Sequence, residues 1–62
     1  MVYELWVRDQ THRLCAYAFL PVDDDYVINR ELFCEGLELD ARITAETAEE
    51  AEALLTRYLT AT

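Results

Sequence analysis

The side chains with the widest chemical reach in this sequence are one histidine, His12, two cysteines, Cys15 and Cys34, and a run of three aspartates, Asp23, Asp24 and Asp25. Catalysis by a nucleophile and its base needs a Ser, Cys or Thr within reach of a His or its equivalent. The sequence has no serine, and His12 follows the turn-prone stretch Asp9, Gln10, Thr11, where a solvated histidine is expected. A structural zinc site takes four Cys or His ligands in paired spacing; His12, Cys15 and Cys34 include no CxxC pair. The aspartate run carries charge for a hard cation but lacks the alternating oxygen ligands, turn glycine and terminal Glu of a calcium loop, and reads as a solvated acidic loop. A phosphate-cradling loop needs several glycines, and Gly36 is alone. The acids fall at positions expected to face water, without the burial that separates carboxylate pKa values for acid and base work. No catalytic residue, metal site or cofactor is expected. Cys15 and Cys34 read as small apolar residues rather than as a disulfide.

Charge narrows the possible partners. Thirteen acids face five bases, all of them Arg, for a formal net charge of -8. Such a balance disfavours direct binding to nucleic acid or to an anionic membrane, both of which require clustered cations. A partner drawn by charge is expected to be basic. Hydrophobic residues make up 53% of the chain, too many for a disordered acidic tail. The 62 residues suit one domain spanning 1–62, buried enough to fold but with little stability to spare. No apolar run reaches the roughly 20 residues of a membrane span and no signal-peptide pattern is visible, so a cytoplasmic location is expected.

The elements that must carry these charges follow from periodicity. Val2 to Arg8 alternate, with Tyr3, Leu5 and Val7 on one side and Val2, Glu4, Trp6 and Arg8 on the other, as in a strand. Arg13 to Leu20 reads as a second strand, stopped by Pro21. Val22 to Gly36 is open between a strand centred on Tyr26, Val27 and Ile28 and a short helix closed by Gly36. Leu37, Leu39, Ala41 and Ile43 alternate with Glu38, Asp40 and Arg42, predicting a strand with one inward and one wet face. Thr47 with Glu50 three residues on predicts a capping box opening a helix to about Leu59, with Ala48, Ala51, Leu55 and Tyr58 as its apolar stripe. The fold expected is α+β: a small, mainly antiparallel three- or four-stranded sheet with the C-terminal amphipathic helix packed on one face.

On that scaffold acids project from three places: Asp23, Asp24 and Asp25 in a loop, Glu38 and Asp40 on the outer strand face about 6.6 Å apart by the rise per residue, and Glu46, Glu49 and Glu50 at the helix start. A spaced row of fixed negative charge imitates a phosphate backbone and suits the Arg/Lys groove of a nucleic-acid-binding protein. In length, acidity and lack of a catalytic set the chain resembles, as a class, the small phage-encoded inhibitors of bacterial defence, including anti-CRISPR and other DNA-mimic proteins. The resemblance rests on whole-chain charge and carries no residue over. It implies an inhibitor, acting in the host cell cytoplasm, that blocks DNA binding by a defence complex such as a CRISPR effector. Acids that merely solvate a small domain, or a salt-adapted surface, account for the same composition.

A different class of function starts from the aromatics. Trp6, Tyr17 and Phe19 are expected to point away from the face covered by the helix, so that either the middle segment or another chain must cover them. Left uncovered, they predict self-association, as a homodimer or an adaptor subunit. Thr44 to Leu59, a strand end leading into an acidic capped helix, also resembles part of the small bacterial antitoxins, which implies a regulatory protein.

Overall fold

A computed structural model describes residues 1–9, 11 and 16–61; the expectations for His12 and Cys15 lie outside them. Strand β1 (Val2–Val7) is followed by β2 (Tyr17–Pro21), helix α1 (Tyr26–Phe33), β3 (Glu38–Thr44) and helix α2 (Ala48–Thr60). The three strands form one sheet in the order β2-β1-β3, and both outer strands run antiparallel to β1. The chain is therefore α+β, with the C-terminal helix on one face as the periodicity predicts.

The middle segment, open between strand and helix in the sequence, is helical from Tyr26. Asp23 decides it: its carboxylate accepts the Asp25 N–H at 3.0 Å and its carbonyl accepts the Tyr26 N–H at 3.1 Å, after which the Asn29 N–H reaches the Asp25 carbonyl at 2.9 Å. A turn started by an aspartate bonding its own backbone outweighs the weak strand preference of Tyr26, Val27 and Ile28. After α1 the Leu37 N–H donates to the Cys34 carbonyl at 3.0 Å, and the third residue of that turn is Gly36 at φ +77°. A positive φ there is the reason the one glycine stands where it does.

Helix α2 opens at the expected N-cap, with Thr47 Oγ1 accepting the Glu50 N–H at 3.1 Å, one half of the capping box, and with Glu49 and Glu50 in the first turn, where carboxylates offset the positive helix end. Its stripe packs Ala51 and Leu54 with Tyr3 and Ala45, and Leu55, Tyr58 and Leu59 with Leu5, Val7, Ala41 and Ile43; Ala48 is exposed. Because β1 is central, Leu5 and Val7 are sealed by strands on both sides and by α2 above. Deleting a side chain at such a site costs about 2 to 5 kcal/mol, a large share of the roughly 3 to 9 kcal/mol a domain of this size holds.

Two expectations about facing are corrected. Tyr17 and Phe19 do not point away from the α2 face: they lie opposite Val7 and Leu5, and Phe19 packs into the α2-covered core and stacks on Tyr3 with ring centroids 5.3 Å apart. The alternation of Leu39 and Asp40 is also inverted. Ala41 sits opposite Leu5 but Leu39 sits opposite Trp6, so Asp40 is an extra residue in a β-bulge. One extra residue swaps the faces on its N-terminal side. Leu39 is carried to the Trp6 face and left exposed, while Asp40 turns toward α2 and accepts the Tyr58 hydroxyl at 2.9 Å.

Candidate interaction surface

Helix α1 crosses the sheet face opposite α2, attached there by a polar network beside the buried side chains of Leu20 and Cys34. At the centre of that face is Glu4, a carboxylate on the middle strand that is only 3% exposed. It accepts hydrogen bonds from Trp6 Nε1 at 3.0 Å, from the Tyr26 hydroxyl of α1 and from Arg42 Nε of β3 at 3.0 Å. Burial by itself pushes the Glu4 carboxyl up, but the hydrogen bonds from Tyr26, Trp6 and Arg42 together outweigh it and hold the group below its ordinary range. The same hydrogen bond raises the Tyr26 phenol, with burial adding to it. The Arg30 guanidinium sits 5.9 Å from the ring centroids of both Trp6 and Tyr26, within cation–π range. Beside it Cys34 is buried with its thiol free, and burial followed by the nearby Glu4 charge raises that thiol. A raised thiol is a weak nucleophile, so Cys34 behaves as the small apolar residue expected of it. Trp6, Arg30, Glu31, Cys34 and Glu35 line an open depression between sheet and helix.

Because the polar side of α1 faces the sheet, its apolar side faces out. None of its eight residues is buried. Ile28 and Leu32, one turn apart, are 60% and 68% exposed, with Val27 at 62% beside them and Phe33 at 61% toward β2. Phe33 leads to the β2 edge, where it lines a groove with Tyr17, Ala18, Phe19 and Leu20. A soluble monomer rarely leaves a contiguous apolar strip of this kind to water. Sequence reasoning did not find this strip, since it left Val22 to Gly36 unassigned. The signal was the offset between two sets four residues apart, Ile28 with Leu32 and Tyr26 with Arg30, which a helix places on opposite sides.

The three aromatics expected to form one self-association patch are dispersed. Trp6 is half-buried beneath α1, so the middle segment covers it; Phe19 belongs to the α2 core; Tyr17 is exposed at the β2 edge. Tyr17 and Phe19 both line the groove that Phe33 borders, at the β2 end of the outer apolar strip.

The nominated acids divide by the ends of the sheet. Since β2 and β3 both run against β1, they finish beside its start: Pro21 lies opposite Tyr3 and Thr44 opposite Val2. The Val22 N–H donates to the Val2 carbonyl and the Ala45 N–H to the Met1 carbonyl. Asp23, Asp24 and Asp25 therefore leave β2, and Glu46, Glu49 and Glu50 leave β3, at one end of the sheet, and all six are exposed. With strands spaced about 4.8 Å apart, β2 and β3 lie about 10 Å apart. Both helices start at this end, and the Met1 ammonium also lies there, donating to the Ala45 carbonyl at 2.9 Å. Glu38 is exposed at the opposite end, across from Val7, and Asp40 is turned toward α2. The row expected of Glu38 and Asp40 on the wet strand face is not formed, because the bulge carries both to the α2 side, Glu38 opposite Val7 and Asp40 against Tyr58.

Among the described residues no group of three or more His, Cys, Asp and Glu could hold a metal ion, and no helix is long and apolar enough to cross a membrane. No protein-family model, no curated protein and no solved structure matches the chain.

Proposed function

We propose that this chain works in the cytoplasm by binding another protein, not by catalysis, and that α1 is the element that engages it. The observation that carries this reading is the outward apolar strip of Val27, Ile28, Leu32 and Phe33 on a helix whose sheet-facing side is attached through Glu4 and Arg30. A strip exposed at this cost in stability is the kind of surface that forms the desolvated centre of a protein interface. The test is retrieval of partners from a bacterial lysate by the tagged protein and by its Ile28→Gln/Leu32→Gln variant. Loss of a specific partner with the variant, its melting temperature unchanged, is the expected result; equal recovery by both would sink the reading.

The acidic end of the sheet favours a more specific form of the same activity, an inhibitor that mimics DNA. Six carboxylates around the starts of both helices offer fixed charge to a basic groove, so the partner would be a nucleic-acid-handling protein, such as the DNA-binding complex of a bacterial defence system. Under this reading the complex dissociates steeply as salt rises, and converting Asp23, Asp24 and Asp25 to Asn weakens it without unfolding the chain. Binding that ignores both salt and these substitutions would leave only the apolar mode.

A further inference from the structure

We infer that the apolar strip of α1 docks on a protein surface whose own apolar strip is bordered by Lys and Arg, and not on a second copy of this chain; this rests on the reading of α1 as the binding element. The argument is charge complementarity around the strip. Asp25 adjoins its N-terminal end, Glu31 lies on the helix between Val27 and Leu32, and Glu35 follows its C-terminal end, and all three are exposed. The one cation of the helix, Arg30, is turned onto the rings of Trp6 and Tyr26. An occupant of Ile28 and Leu32 therefore meets carboxylates on its border.

A second copy fits this border poorly. A two-fold contact through α1, with the helices antiparallel, sets the Asp23 to Asp25 end of one copy against the Glu35 end of the other and brings Glu31 toward its counterpart. Two chains of formal charge -8 would then exclude water between like charges, which costs far more there than at an open surface. A basic border reverses the sign of each of these contacts. The same charge speeds encounter with a cationic surface and slows it with another copy.

Two amphipathic helical peptides of equal length test this, each with a stripe of Leu, one flanked by Lys and the other by Glu; poly-lysine serves as a stripe-free control. Binding is followed by titration calorimetry and the oligomeric state by sedimentation equilibrium. The expected result is that the Leu/Lys peptide binds at least tenfold more tightly than the Leu/Glu peptide, and that Ile28→Gln/Leu32→Gln loses at least tenfold of this affinity. Binding of poly-lysine by that variant is expected to stay unchanged, and an unchanged melting temperature shows that the variant is folded. Equal binding of the two peptides, each lost with Ile28→Gln/Leu32→Gln, would overturn the basic border while leaving α1 as the binding element. Peptide binding indifferent to that variant would overturn both. A stable dimer broken by the same substitutions would mean that a second copy occupies the strip.

Discussion

The Tyr26 hydroxyl of α1 donates to the Glu4 carboxylate of the central strand, joining two residues 22 apart in sequence and making a buried acid the anchor of an otherwise exposed helix. An eight-residue helix is marginal in water on its own, so its position depends on what it touches. Glu4→Ala leaves the Tyr26 hydroxyl, Trp6 Nε1 and Arg42 without their acceptor and should cost about 2 to 3 kcal/mol. Tyr26→Phe removes one donor of three and should cost about 1 to 2 kcal/mol. Urea unfolding measures both: at unchanged slope, the midpoint falls further for Glu4→Ala. Equal midpoints for wild type and Glu4→Ala would show that α1 is held by other means.

Stability should depend on pH through the same pair, with opposite signs at its two limits. Glu4 is held below its ordinary value of 4.5 when folded, so the unfolded chain takes up its proton first. Its contribution is complete above 4.5 and is lost as pH falls through the lowered folded value. Tyr26 is raised above 10.0 when folded, so its contribution is complete below 10.0 and is lost as pH rises through the raised value. Subtracting the unfolding free energies of Glu4→Gln from those of wild type removes the other carboxylates from the acid limb. That difference should shrink on acidification below 4.5, and the corresponding difference for Tyr26→Phe should shrink above 10.0.

How much of this was legible beforehand is seen residue by residue. The central strand, the capped C-terminal helix and their shared core could be read because Tyr3, Leu5 and Val7 keep a period of two and Ala51, Leu55 and Tyr58 a period near 3.6. The acids of the two loops could be located, but not their meeting at one end of the sheet, which depends on the strand order. Glu4 could not be recognised as a buried anchor, since its three donors come from residues 6, 26 and 42, two of them distant in sequence. Asp40 misled because a bulge leaves no mark in a strict alternation. The strip of α1 was hidden by Val27 and Ile28, whose strand preference conflicts with the turn that Asp23 begins.

The inversion at Asp40 yields its own test. A carboxylate facing α2 and accepting from Tyr58 at 2.9 Å should couple energetically to that hydroxyl, whereas one on the wet face should not. A double-mutant cycle with Asp40→Ala and Tyr58→Phe should give a coupling of about 1 kcal/mol. A coupling indistinguishable from zero would return Asp40 to the outer face and remove the bulge.

Salt should act on the free protein and on its complex in opposite directions. With thirteen acids against five bases, the folded chain holds like charges closer than the unfolded one, and six of the acids crowd the end where both helices start. Screening at 0.15 M salt acts over about 8 Å, comparable with the roughly 10 Å between β2 and β3, so added salt should relieve the crowding and raise the melting temperature. It also weakens the favourable contact of Glu49 and Glu50 with the start of α2, but such contacts contribute only about 0.3 to 1 kcal/mol each. A complex with a cationic partner loses attraction over the same range. Melting curves from low to moderate sodium chloride, recorded beside Leu/Lys peptide affinities in the same buffers, should therefore diverge: stability rising, affinity falling. If stability fell together with affinity, the acids would be paired within the fold and not held ready for a partner.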